Sequence, residues 1–252
     1  MAKILAITNQ KGGVGKTTTS VNLAASLTAT KRRVLLIDLD PQGNATMGSG
    51  VDKAALAETV YHVLLEEKSI AEVRIRDTCG KFDLIPANRE LAGAEVELVQ
   101  ELAREWRLKH ALSKVEHEYD YILIDCPPAL NLLTVNALCA AHAVMIPMQC
   151  EYYALEGLSD LVQTIKKVRV ALNPNLEIEG LLRTMFDPRN TLAQQVSEQL
   201  QRHFGDKVYR TVIPRNIRLA EAPSYGMPVL FHDKASKGAQ AYLALAGEMV
   251  RK

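Results

Sequence analysis

The chain has 252 residues, with 30 Lys+Arg against 29 Asp+Glu and a formal net charge of +1. That balance excludes bulk polyelectrolyte behaviour, so any nucleic-acid contact must come from a local patch. Hydrophobic residues at 48% with 23% charged describe an ordered globular chain, and only 5% aromatic residues argue against a base-stacking surface for single strands.

In chain order, short apolar runs alternate with longer stretches of helical spacing. Lys3–Thr8 reads as the first strand and Lys16–Thr30 as the first helix. Val34–Leu39 is the second strand, Ala54–Glu66 has helical spacing, and Phe82–Ile85 is the third strand. Helical spacing over Glu90–Val115 leads to a strand at Tyr121–Ile124, a helix at Asn131–Ala141 and a strand at Ala143–Pro147. Leu155–Leu172 then reads as helix, Gly180–Phe186 as strand, Thr191–Phe204 as helix, Val208–Ile213 as a further strand and Ser236–Val250 as the last helix. Several strands are apolar at consecutive positions, as expected when helices cover both faces. The alternation predicts an α/β fold with a doubly wound, mostly parallel sheet. No linker, repeat or low-complexity tract interrupts it, so one domain over residues 1–252 is expected.

The four cysteines, Cys79, Cys126, Cys139 and Cys150, form no CxxC pair and suggest neither a disulfide framework nor a zinc site. Reduced thiols fit the cytoplasm. The longest apolar run, Ala137–Met148, is broken by His142 and Pro147 and falls short of the roughly 20 residues a span requires. No export signal precedes the first strand, so a soluble, cytoplasmic protein without membrane attachment is expected.

Chemistry concentrates first in Lys11-Gly12-Gly13-Val14-Gly15-Lys16-Thr17-Thr18, between the first strand and the first helix. Glycines there let backbone amides turn toward a polyphosphate, and the helix adds its positive N-terminal end. Lys16 would reach the β- and γ-phosphates of ATP, and the Thr17 hydroxyl would sit on Mg²⁺. The usual first glycine of GxxxxGK[ST] falls at Gln10, and a second lysine stands at Lys11. Asp38 and Asp40 follow at the end of the second strand, in Asp38-Leu39-Asp40-Pro41-Gln42-Gly43-Asn44; alternation predicts both on one side of it. One can help organise Mg²⁺ through water while the other orients or deprotonates an attacking water. Asp125, ending the apolar Tyr121–Ile124 run before Pro127 and Pro128, reads as the acid that meets Mg²⁺ through water.

The pattern KGGVGKTT resembles the deviant phosphate loop of the ParA/MinD superfamily of partitioning and positioning ATPases, P-loop NTPases by fold. The resemblance extends through the DxDPQGN and DxPP segments and continues to Ala220–Gly226 and Ser236–Ala239. It implies a nucleotide-sandwich homodimer in which Lys11 acts on the neighbour's phosphates and Lys16 on its own, with Lys11 and Gly12 at the interface. It gives the water-holding role to Asp40, a supporting one to Asp38, and adenine contacts to Pro214 and Asn216.

A cationic stretch completes the reading. Residues 163–218 hold ten Lys/Arg against five acids, +5 within a chain of +1. Such asymmetry suits backbone-phosphate binding driven by counterion release. Phe186–Asn190 and Ile213–Arg218 look like the segments through which short chromosomal ParA proteins of the Soj type bind double-stranded DNA non-specifically as ATP dimers. Arg189 and Arg218 are the first candidates, with Arg215, Lys207 and Lys237 on the same face. The resemblance further implies a ParB-type partner that stimulates hydrolysis, a nucleoid location and a role in chromosome partition, without an N-terminal helix-turn-helix domain. A MinD-like membrane-cycling ATPase is the alternative. It would need a basic amphipathic C-terminal helix, whereas Ala241–Lys252 is Ala-rich with charges only at its close. An iron–sulfur reductase of the nitrogenase iron-protein type would need paired cysteines that the sequence does not offer.

Overall fold

The computed structural model describes residues 1–251. Its centre is a six-stranded sheet, entirely parallel, in the order β3-β2-β4-β1-β5-β6. The strands are β1 (Lys3–Ile7), β2 (Val34–Asp38), β3 (Asp83–Ile85), β4 (Tyr121–Asp125), β5 (Ala143–Gln149) and β6 (Glu177–Thr184). Between β1 and β3 lie α1 (Lys16–Ala29), α2 (Asn44–Gly48), α3 (Val60–Leu64) and α4 (Ile70–Val73). After β3 come α5 (Leu91–Glu97) and α6 (Arg107–Ser113), and after β4 comes α7 (Leu132–Ala140). The chain continues with α8 (Ala154–Ala171), α9 (Thr191–Phe204), α10 (Ile217–Glu221), α11 (Val229–His232) and α12 (Lys237–Arg251).

Strand alternation divides the interior into two cores. Ile4 and Ala6, with Leu35, Ile37, Ile122 and Ile124, face α3 and α5–α9. Leu5 and Ile7, with Leu36 and Leu123, face α1, α11 and α12. The central strands β1, β2, β4 and β5 are therefore apolar at consecutive positions because both of their faces are covered.

Three elements depart from expectation. The segment 208–213 runs beside β6 but forms no continuous ladder with it: it joins at the isolated bridge Leu181–Val208 and through the Tyr209 and Ile213 amides, which donate to the Leu181 and Arg183 carbonyls at 3.1 and 2.9 Å. Its amides at Arg210 and Thr211 donate instead to the Glu248 carboxylate (2.8 and 2.9 Å), and the Arg183 guanidinium takes the carbonyls of Tyr209 and Arg210. Side chains have replaced the middle of the ladder. The helical stretch at Glu90–Val115 breaks after Gln100, where Ala103 takes a left-handed φ of 53°. The stretch at Ala54–Glu66 is split by Thr59, whose hydroxyl caps α3 in a reciprocal box with His62.

Candidate functional site

The sheet order brings the site together. β4 lies between β2 and β1, with Asp125 in register with Asp38 on one side and Ile7 on the other. The loop leaving β1 and the carboxylates ending β2 and β4 thus share the carboxyl edge of the sheet, where open α/β sheets bind ligands.

The loop after β1 is held at three points. Asn9, buried, accepts from the Lys11 amide at 3.0 Å and donates to the Pro147 carbonyl at 2.8 Å. Gly13 and Gly15 take φ of 74° and 86°, a region side chains avoid. The Thr184 hydroxyl at the end of β6 donates to the Val14 carbonyl at 2.7 Å. α1 then starts with neither a side-chain cap nor an acid in its first turn, leaving its leading amides for an anion.

The two lysines of the loop point apart. Lys16 is buried and donates to the Lys11 carbonyl at 3.1 Å; burial lowers its pKa, partly offset by Asp125 and Asp40. Lys11 turns outward to an ion pair with Glu151 at 2.5 Å, both side chains about half exposed (45% and 51%).

Asp38 and Asp125 are fully buried side by side. The Thr46 amide and hydroxyl both donate to Asp38 Oδ2 at 2.8 Å. Ser20 donates to Asp125 Oδ1 at 2.7 Å, while Oδ2 is sealed from solvent without a well-formed hydrogen bond. Burial raises both pKa values, and the neighbouring Asp38 charge raises Asp125 further. Two adjoining buried carboxyls and an unsatisfied oxygen suit a nearby cation. The Thr17 hydroxyl, which already favours the ionised Asp125, stands at the same place. The residues fit Mg²⁺ bound together with phosphate; no cluster of three or more His, Cys, Asp or Glu exists among the described residues to hold a metal alone.

Asp40 lies beyond the end of β2, so strand alternation does not orient it. Its amide donates to Asp38 Oδ1 at 3.2 Å, and its own Oδ1 accepts from the Gln42 amide at 2.9 Å. Sequence reasoning missed Asn9, Ser20, Thr46 and Thr184. Asn9, Ser20 and Thr184 act on partners more than a hundred positions away and Thr46 on Asp38 eight positions before it, and no motif spacing signals any of them.

A cavity of about 190 Å³ opens beside the loop, lined by Gly15, Thr18, Thr184, Pro214, Asn216 and Tyr242 among others. Asn216 Oδ1 is buried there without a hydrogen-bond partner. Arg215 lines the same cavity, although its residue is exposed.

The cationic segments meet through the bridge Phe186–Pro214 and the Phe186 amide bonded to the Ile213 carbonyl at 3.0 Å. Arg189 pairs with Asp187 at 2.8 Å, and Arg215 is close enough to help hold that carboxylate ionised. Arg218 pairs with Glu221 and Asp233 at 2.8 and 3.3 Å. Lys207 and Lys237 are exposed. Arg183, one of the ten cations counted in this stretch, does not belong to its surface. It is buried, bonded to Ser197 and two carbonyls.

α12 lays Ala239, Tyr242, Leu245, Ala246 and Met249 against α1, with the Tyr242 and Thr19 hydroxyls 3.1 Å apart in the core. The apolar face that lipid would need is thus covered by protein. No helix among the described residues is long and apolar enough to cross a membrane. Of the cysteines, Cys126, Cys139 and Cys150 are buried and Cys79 is exposed, all as free thiols.

A parallel sheet whose carboxyl edge carries a glycine loop, an inward lysine, a hydroxyl at the helix start and buried acids defines a P-loop ATPase. A family model described as an AAA domain matches residues 2–178. The Bacillus subtilis sporulation initiation inhibitor protein Soj is 56% identical over 249 residues, 99% of this chain and 98% of its own. The Caulobacter vibrioides chromosome partitioning protein ParA is 52% identical over 250 residues, covering 98% and 94%. Among solved structures, cobyrinic acid a,c-diamide synthase from Mycobacterium smegmatis, with a bound ATP analogue and magnesium, superposes with a TM-score of 0.87 at 39% identity, covering 100% of this chain and 95% of that one. The chain belongs to the Soj/ParA family of chromosome-partitioning ATPases, with ATP and Mg²⁺ as its cofactors.

Proposed function

We propose that two copies of this chain close face to face over two ATP molecules, and that the closed dimer binds double-stranded DNA without sequence preference until a ParB-type partner triggers hydrolysis. The observation that carries this reading is the opposed aim of the two lysines. Lys16 is folded over its own loop, whereas Lys11 stands outside it, restrained only by an exposed ion pair. Such pairs contribute about 0–1 kcal/mol, so Lys11 is readily redirected to a phosphate presented from outside.

In this reading the amides of Gly12, Gly13, Val14, Gly15, Lys16, Thr17 and Thr18 cradle the β- and γ-phosphates. Lys16 compensates their charge in cis, and the partner's Lys11 adds a second cation as charge moves to the leaving oxygen. Mg²⁺, when bound, neutralises the phosphate oxygens; Thr17 would hold it directly, with Asp38 and Asp125 acting through water. Asp40 fixes the attacking water in line. Pro214 packs on the purine and Asn216 Oδ1, an acceptor without a donor, takes its exocyclic amine. Arg189, Arg215 and Arg218, with Lys207 and Lys237, meet DNA phosphates, and two protomers double the contacts that one presents. ATP would thereby gate attachment to the nucleoid in the cytoplasm. The name of the Mycobacterium smegmatis protein belongs to that protein; the partitioning role follows the relatives at 52 and 56% identity.

The deciding experiment compares molar mass with and without ATP by light scattering. Asp40→Ala should accumulate an ATP-dependent dimer, because water positioning is lost while binding remains. Gly12→Val should bind ATP yet stay monomeric. A Cβ at Gly12 meets nothing within 4 Å inside this chain, so the free monomer has room for it and the obstruction is expected where a second copy closes. An unchanged monomer mass for Asp40→Ala with bound ATP would remove the dimer from the account.

A further inference from the structure

Lys53 opens the short 3-10 turn Lys53–Ala55 beyond α2, and no role given above uses it. It is half-buried. Nζ donates to the Gln42 carbonyl at 2.5 Å. The stem crosses Gly43, whose φ of 61° already favours glycine. A Cβ there would stand 2.9 Å from Lys53 Cδ and 2.6 Å from the Ala87 carbonyl oxygen. Gly43 is therefore the slot that admits the lysine stem. Asp52 accepts from the Ala54 amide at 3.0 Å and sets the turn from which Lys53 projects.

Gln42, whose carbonyl Lys53 holds, is also the residue whose amide orients the Asp40 carboxylate. The Gln42 amide makes the sole hydrogen bond to the Asp40 carboxylate among the described residues, at 2.9 Å, and the Gly43 amide donates to the Asp40 carbonyl at 2.8 Å. Asp40 thus accepts from the Gln42 amide while Lys53 holds the carbonyl of the same residue. Lys53 also lines a cavity of about 520 Å³ with Thr17, Thr18 and Asn44, which puts the clamp at the edge of the nucleotide site.

We infer that Lys53 is a positioning residue for hydrolysis: by fixing the Gln42 carbonyl it keeps the Asp40 carboxylate aimed at the attacking water. The inference rests on the role proposed for Asp40. It separates a lysine that shapes the transition state from one that binds nucleotide, and kinetics distinguish the two.

The test is steady-state ATP turnover of the full chain with Mg²⁺, alongside affinity for a non-hydrolysable ATP analogue. Lys53→Met keeps the stem and removes the donor. Its kcat should fall on the order of tenfold to a hundredfold, the scale of an ångström-sized misplacement. KM and analogue affinity should stay within about twofold, the mark of an interaction used only in the transition state. Lys53→Arg, which restores a donor, should recover most of the loss. In an Asp40→Ala background, Lys53→Met should add no further loss, since both act as a unit. Unchanged kcat in Lys53→Met while Asp40→Ala abolishes turnover would overturn the clamp and leave the Asp40 role standing; retained turnover in Asp40→Ala would instead overturn the Asp40 role. A raised KM with unchanged kcat would place Lys53 on the nucleotide and also overturn the inference. If Lys53→Met lowers Tm, the same split is read from Lys53→Leu, which also lacks a donor, with the same outcomes deciding.

Discussion

The phosphate loop and the cationic edge, only a few residues apart at the end of β6, are built by opposite means. Around the loop, polar side chains are buried and committed: Asn9 to two backbone groups, Thr184 to Val14, Ser20 to Asp125 and Thr46 to Asp38. Along the edge, Arg189 and Arg218 are exposed and held by acids at the surface. A buried polar group left without its partner costs about 1–3 kcal/mol, whereas an exposed ion pair contributes about 0–1 kcal/mol. The loop is thus preorganised and intolerant of change, and the edge can exchange carboxylate for phosphate at little cost.

The largest effect should come from breaking the committed side of that contrast. Lys16→Ala removes the buried cation whose ammonium lies on the loop and is stabilised by Asp125 and Asp40. Loss of a preorganised electrostatic group of this kind lowers kcat by roughly a hundredfold to a thousandfold or more. Isothermal titration with ATP should show nucleotide binding lost as well; retained binding and turnover would mean that another cation serves the phosphates.

How much of this was legible beforehand follows the range of the interactions. The loop, Asp38, Asp40 and Asp125 can be read from spacing because a strand, a glycine turn and a helix start are encoded within a few residues. Four strands begin where their apolar runs begin; β3 starts one residue later, at Asp83, than the run Phe82–Ile85 indicated, and β6 three residues earlier, at Glu177, than Gly180–Phe186 indicated. The expected strand at Val208–Ile213 was not realised, because Glu248 from α12 and Arg183 from β6 occupy backbone groups in its middle, between the Tyr209 and Ile213 amides that still reach β6. Neither intrusion is encoded near residue 210. Arg183 also shows why charge counting misplaces a residue: burial among Ser197 and carbonyls is invisible in a sum over sequence. The outward aim of Lys11 likewise depends on Glu151, 140 positions away.

The edge should respond differently in kind. Replacing Arg189 and Arg218 together by alanine should leave ATP affinity and Tm nearly unchanged, since surface substitutions stay within about 0.5 kcal/mol. Non-specific DNA binding should weaken, with the slope of log K against log salt falling by about 1 for each phosphate contact removed. Filter binding across a salt series measures both, and an unaltered slope would take these arginines off the DNA. Thr184→Val tests the join between the regions. It leaves the Val14 carbonyl without its donor, so stability in urea should drop by about 1–3 kcal/mol, with weaker ATP binding and a DNA salt slope unchanged for whatever dimer remains.

The smallest expected effect concerns Lys11, which combines the two styles of construction: a loop residue at the nucleotide end, restrained as loosely as the edge. Glu151→Gln removes the carboxylate but preserves shape. Because the pair is about half exposed on both sides, stability should change by less than about 1 kcal/mol. If Lys11 must leave Glu151 to reach a neighbour's phosphate, losing that restraint favours closure by the same small free energy. Sedimentation in an Asp40→Ala background with ATP should then show dimerisation at up to about thirtyfold lower protein concentration, the factor that about 1 kcal/mol for each of the two protomers represents. A weaker dimer would reverse the sign, making Glu151 a contributor to the joint face and leaving Lys11 held by Glu151 in the closed state as well.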